Sequence, residues 1–104
     1  MFHILLALAG PDLHGYAIMQ EVAQHTDGQL KLGPGTLYGA IKRLLAEKLI
    51  LETDERPDPK LDDERRRYYR LTDLGQQVLR AELKRISTMV SVAQQKRLIP
   101  KTRN

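Results

Sequence analysis

The apolar and polar positions along this chain follow a helical period in four places. Residues 2–9 are apolar on almost every side, which predicts a short buried helix. Residues 14–26 and 35–47 carry apolar side chains at spacings close to 3.6 residues, so each is predicted to form an amphipathic helix. A longer helix is predicted from Asp73 to about Leu98.

A strand period is found in two segments between the third and fourth predicted helices. Residues 49–53 and 66–71 can pair as an antiparallel hairpin, with Tyr68 and Tyr69 on opposite faces of the second strand. Residues 54–65 between them contain two prolines and charges of both signs, which predicts a mobile loop at the tip of the hairpin.

Three helices followed by a hairpin and a long helix are typical of one fold class. We predict a mainly α fold with a small β-hairpin, namely a winged helix-turn-helix domain over residues 1–71. A dimerisation helix is predicted over residues 72–99, and a disordered tail over residues 100–104. The last helix has an apolar seam at steps of 4, 3, 4 and 3 residues, which normally indicates a partner helix. The seam consists of Leu79, Leu83, Ile86, Val90 and Ala93.

The distribution of charge favours a polyanionic partner for the second half of the chain. The net charge is +4, and of the 17 lysines and arginines only Lys31 precedes Lys42. Cysteine is absent, which excludes disulfides and thiolate metal sites, so we expect no metal or cofactor. The apolar run at residues 4–9 is too short to span a bilayer, and we expect a cytoplasmic protein.

No pattern in the sequence favours an enzyme. The three histidines are scattered, and His14 is better placed to serve the turn before the second helix than to bind a metal. The glycines at 33 and 35 are too few for a nucleotide-binding loop, and no nucleophile has a base beside it. The acidic residues between 52 and 64 suit a solvated segment rather than an acid/base pair.

Four motifs, in this order and spacing, make the chain similar to the PadR family of bacterial transcriptional regulators. They are LHGYAIMQEV at 13–22, LGPGTLYGAIKRL at 32–44, the apolar pair at 49–50 and RRRYYRLTDLG at 65–75. The resemblance implies a winged helix-turn-helix, a dimerisation helix at the C-terminus, and a homodimer that represses transcription by binding a palindromic operator. The short tail resembles the subgroup with a single C-terminal helix.

The resemblance also implies where DNA is contacted. It places a DNA-contacting tyrosine at Tyr38 and puts Tyr16 near the DNA backbone, although a core position for Tyr16 is an equal alternative. Thr36 can cap its helix or touch a phosphate, and the charges at 42 and 43 can serve DNA or simply face solvent. Of the three wing arginines, one is expected to pair with Asp62, Asp63 or Glu64 and two to contact phosphates. The predicted DNA-binding set is Tyr16, Pro34, Gly35, Thr36, Tyr38, Lys42, Arg43, Arg65, Arg66 and Arg67.

The predicted partners are double-stranded operator DNA, a second copy of the chain and a small-molecule effector of unspecified identity. Some relatives bind planar drugs in a cleft lined by Trp, which this chain lacks. Because the family packs both ends of the chain at its dimer interface, Phe2 and Leu5 join the seam residues as predicted dimer contacts. The alternative function is a winged helix that binds only other proteins, which would require an apolar exposed face on the third helix.

One departure from the family pattern affects the backbone. Many relatives have Gly where this chain has Lys48, just past the third helix, because that position often needs a positive φ. A lysine there would cost on the order of 1 kcal/mol if the same backbone is kept.

Overall fold

The computed structural model describes residues 1–53 and 67–100, and it confirms the predicted winged helix with a long C-terminal helix. The predicted mobile loop at 54–65 and residues 101–104 of the predicted tail lie outside the described residues. The long helix ends at Gln95, three residues before the predicted Leu98. The elements in chain order are α1 (Phe2–Ala7), β1 (Leu13–His14), α2 (Gly15–His25), α3 (Pro34–Ala46), β2 (Ile50–Thr53), β3 (Tyr68–Leu71) and α4 (Asp73–Gln95).

The sheet has three antiparallel strands in the order β1-β3-β2, so the expectation of a two-stranded hairpin was incomplete. Leu13 of β1 pairs with Tyr69, and Glu52 of β2 pairs with the same tyrosine from the other side. Strand β3 is therefore central, and both Tyr68 and Tyr69 are buried. The ring of His14 packs edge-on against Tyr68 with 5.4 Å between the ring centroids, which covers the second face of β3.

The core lies between the three N-terminal helices and the inner face of the sheet. Its most deeply buried side chains are Ile18 and Val22 of α2 and Leu37 and Leu44 of α3. Each such side chain contributes roughly 1.5–3 kcal/mol through burial of its apolar surface. Burial of these positions fixes the rotation of α2 and α3 about their axes, and it therefore decides which side of each helix faces solvent.

Helix α3 ends in the left-handed turn that the family pattern predicted at Lys48. Lys48 has a φ of 61°, and its N–H donates to the carbonyl of Leu45 at 3.1 Å. The N–H of Leu49 donates to the carbonyl of Leu44 at 3.0 Å. These two bonds form a Schellman motif, which satisfies the last carbonyls of α3 and sets the direction of β2.

The start of α4 is fixed against the same turn. The Thr72 hydroxyl accepts the N–H of Gly75 at 3.0 Å, as predicted for an N-cap, and donates to the carbonyl of Lys48 at 2.6 Å. The N–H of Thr72 donates to the carbonyl of Leu49 at 3.1 Å. A Cβ at Gly75 would collide with that same carbonyl oxygen, so only glycine lets α4 approach the turn this closely.

Candidate nucleic-acid interface

Helix α3 has one buried side and one exposed polar side. Leu37, Ile41 and Leu44 are buried in the core, so the opposite side of the helix faces solvent. The exposed residues are Pro34, Gly35, Thr36, Tyr38, Gly39, Lys42 and Arg43. All six α3 residues of the predicted DNA-binding set therefore lie at the surface, where a partner can reach them.

Tyr38 lies where α3 meets the N-terminus of α2. Its side chain is 50% exposed, and the end of its ring packs against the backbone of Gly15. Tyr16, the next residue of α2, is 62% exposed and does not belong to the core. The two tyrosines of the predicted set are thus on the surface of adjoining elements.

The hairpin approaches the same region from the other side. Burial raises the pKa of the Tyr69 phenol, and the nearby Glu52 carboxylate and Tyr38 hydroxyl raise it further, whereas Arg67 lowers it. Tyr69 therefore lies within electrostatic reach of both α3 and the base of the wing. This arrangement brings the exposed side of α3 and the strand ends of the hairpin toward one side of the molecule.

Arg67 is the wing arginine within the described residues, and its side chain is 72% exposed. It lies 3.5 Å from the carboxylate of Glu52 on the neighbouring strand. An exposed pair of this kind contributes little to stability and can be displaced by a stronger anion such as a phosphate. Arg65, Arg66 and the predicted pairing with Asp62, Asp63 or Glu64 lie outside the described residues.

The N-terminus of α3 has no side-chain cap. Gly33 is the N-cap residue, and Thr36 is in the first turn without capping it, so the capping role considered for Thr36 is not the one it has. Within residues 1–53 and 67–100, Lys42 and Arg43 have no ion-pair partner. Uncapped N–H groups and unpaired cations on one helix side are suited to binding an anion.

A bidentate ion pair that the sequence did not reveal holds the base of the sheet. Arg70 of β3 donates from Nε to Asp12 at 3.0 Å and from Nη2 to the second carboxylate oxygen at 2.7 Å. The two residues are 58 positions apart, and no local pattern links them. His14 accepts the N–H of Ala17 through Nδ1 at 3.2 Å, so it caps α2 as the sequence indicated.

The predicted dimer contacts fall into two groups. Leu5 and Leu79 are buried in the core of a single chain, so their burial needs no partner. Phe2, Ile86 and Ala93 are partly buried, while Leu83 and Val90 are exposed. Sequence reasoning missed a further group of exposed apolar side chains on α4, whose near-helical spacing would have revealed them. These are Leu74, Val78, Met89 and Val92.

Two classes of site were sought among the described residues and not found. No cluster of three or more metal-ligating side chains occurs in residues 1–53 and 67–100. In the same part of the chain, no helix has the length and apolar character needed to cross a membrane.

Comparison with known proteins identifies one family along most of the chain. Residues 4–81 match the PadR-like family of transcriptional regulators. A 37.1 kDa protein encoded in a transposon of Streptomyces fradiae is 39% identical over 82 residues, which make up 76% of this chain and 20% of that protein. The chain thus spans about a fifth of the length of that relative.

Solved structures agree with the family match. A PadR-like transcriptional regulator from Bacillus cereus superposes with a TM-score of 0.71 at 26% identity, covering 96% of this chain and 91% of that one. PadR of Bacillus subtilis, solved in complex with operator DNA, superposes with a TM-score of 0.63 at 27% identity, covering 79% of this chain and 44% of that one.

Proposed function

Because the chain belongs to the PadR-like family of transcriptional regulators, we propose that it is a sequence-specific repressor that binds a palindromic operator as a homodimer in the cytoplasm. The observation that carries this proposal is the exposed side of α3, where Tyr38 lies beside unpaired Lys42 and Arg43 and within electrostatic reach of the hairpin. The operator-bound complex of the Bacillus subtilis neighbour supports it.

In the proposed complex, α3 enters the major groove. A helix fits the width of that groove, and Tyr38, Lys42 and Arg43 would then reach base edges or the phosphates on either side. Arg65, Arg66 and Arg67 at the wing would contact the flanking phosphates, which contribute affinity without reading the sequence. Tyr16 and Thr36, at the starts of α2 and α3, would contact the backbone of the same duplex.

The alternative of a winged helix that binds only proteins is less well supported. That function requires an apolar exposed face on α3, because buried apolar area drives most protein association. The exposed side of α3 instead carries a phenol, a hydroxyl and two cations. No enzymatic activity is proposed, since PadR-like family members are transcription regulators.

The proposed dimer forms through α4. Leu83, Ile86 and Val90 share one side of the helix, and two of them are exposed in a single chain. A partner helix on this side would bury them, with Phe2 of α1 as an additional contact. A two-fold axis would then place the two α3 helices about 34 Å apart, one turn of B-DNA, which matches a palindromic operator.

Release of the operator by a small-molecule effector is part of the same proposal. A groove of about 560 Å³ lies between α1, β3 and α4, with Leu79 and Leu83 beside Arg70 and Arg80. This combination suits a ligand with an apolar body and a negative group. Because the groove borders both the wing and the proposed dimer helix, a ligand there could change the spacing of the two α3 helices.

The wing and α3 make different contributions, which salt dependence separates. Arg67→Ala should weaken binding to every duplex and reduce the slope of log K against log[salt] by about one unit. Glu52→Gln, which frees Arg67 from its partner, should strengthen binding to every duplex. Lys42→Ala should change the ranking of operator variants more than the salt slope. The measurement is a fluorescence anisotropy titration at several salt concentrations.

Lys84→Ala removes an exposed cation from α4 and serves as the control for net charge. If Arg67→Ala and Lys84→Ala have the same small effect on the salt slope, the wing is not a phosphate contact and the proposed binding mode is wrong.

A further inference from the structure

Gly15 has no conformational reason to be a glycine. It begins α2 with an ordinary backbone, since Gly28 is the glycine with a positive φ among the described residues. The first position of a helix accepts most residue types, and a glycine there adds the entropy cost of its free backbone. A reason for Gly15 must therefore lie in its surroundings.

The surroundings of Gly15 consist of one side chain. A Cβ built on Gly15 would collide with the hydroxyl of Tyr38, and its next two neighbours are Cζ of that ring at 2.9 Å and Cε1 at 3.2 Å. By contrast, Gly10 and Gly39 have open space around the same position, and Gly75 is constrained by backbone. Among these glycines, Gly15 is the one whose missing side chain is replaced by the end of a tyrosine.

We infer that Gly15 is a positioning residue for DNA recognition, because its bare backbone provides the space in which Tyr38 lies and so sets where the Tyr38 hydroxyl meets the duplex. This inference rests on the proposed function, in which Tyr38 contacts DNA. It adds a residue of α2 that does not itself need to touch the duplex.

The geometry separates this role from a role in folding. The atoms that a Cβ would meet are the free end of a side chain that is half exposed, so the ring can swing outward without disturbing the core. Alanine is also a better helix former than glycine. Gly15→Ala should therefore leave the fold intact while it moves the phenol away from its present place.

A double-mutant cycle tests the inference. Gly15→Ala, Tyr38→Ala and the double variant are titrated with an operator duplex obtained by selection with the wild-type protein, and Gly10→Ala is the matched control. Gly15→Ala should weaken operator binding by about fivefold or more, the usual range for loss of a specific contact, with an unchanged salt slope. In the Tyr38→Ala background, Gly15→Ala should have no further effect, because the ring that it displaces is gone.

Two further readouts complete the test. The thermal midpoint of Gly15→Ala should equal or exceed that of the wild type, and the Tyr38 ring resonances should shift in its NMR spectrum. Additive effects in the cycle, an operator affinity of Gly15→Ala equal to that of the wild type, or a Gly15→Ala variant that does not fold would each overturn the inference. In those cases the wild type still selects an operator and the proposed function stands. A wild-type protein that selects no duplex would remove the proposed function and this inference together.

Discussion

Lys48 offers the most direct test of the local energetics of this fold. Its φ of 61° puts a residue with a Cβ in the left-handed region, where the side chain lies too close to the following carbonyl. The backbone cannot relax, because Leu49 is bonded to Leu44 and the Lys48 carbonyl accepts the Thr72 hydroxyl. The strain should therefore be released only when the Cβ is removed.

The magnitude follows from two opposing terms. A left-handed residue with a Cβ costs about 1–2 kcal/mol relative to glycine. Glycine loses about 0.5–1 kcal/mol more conformational entropy on folding. Lys48→Gly should therefore raise the free energy of unfolding by about 0.5–1 kcal/mol, which corresponds to about 2–8 °C in Tm for a domain of this size.

The measurement is urea unfolding followed by circular dichroism, with all variants at one protein concentration because dimerisation contributes to stability. Lys48→Ala is the control, since it removes the charge but keeps the Cβ, and its stability should equal that of the wild type. If Lys48→Gly is no more stable than Lys48→Ala, the turn does not store strain and the reasoning is refuted.

Two other substitutions test how α4 is held and what it does. Gly75→Ala should lower the free energy of unfolding by about 1–3 kcal/mol, because a Cβ would collide with the Leu49 carbonyl, whereas Gly39→Ala in open space within α3 should raise it by about 1 kcal/mol. Thermal melts of both variants decide this, and a harmless Gly75→Ala would contradict the close approach. Ile86→Asp should give monomers by sedimentation velocity and reduce operator affinity toward that of one half-site, while Thr88→Asp, a matched exposed position, should leave the dimer intact; a folded Ile86→Asp dimer with full affinity would place the interface elsewhere.

The helices could be predicted because each carries its own periodic pattern. Leu37, Ile41 and Leu44 sit one face apart in sequence and are all buried, and the Thr72 cap is a local signal that the structure confirms. The unusual backbone at Lys48 was also predicted, since the resemblance marks that position as one where glycine is common.

What the sequence did not predict depends on contacts between distant segments. Strand β1 is two residues long, too short for an alternating pattern, and it forms only because β3 offers a free edge. The same pairing explains why Tyr68 is buried although alternation placed it opposite Tyr69. The position of Tyr38 against Gly15 likewise joins α3 to α2, so neither helix pattern alone indicates it.

Selection of duplexes from a random pool by the purified protein tests the central claim most directly. A dimer that reads DNA with the exposed side of α3 predicts enrichment of one sequence with two-fold symmetry, its half-sites centred about 10 base pairs apart. Tyr38→Ala should lose that enrichment while it retains salt-sensitive binding to unrelated duplexes. A wild-type protein that enriches no sequence, or that enriches the same sequence after Tyr38 is replaced, would contradict the account.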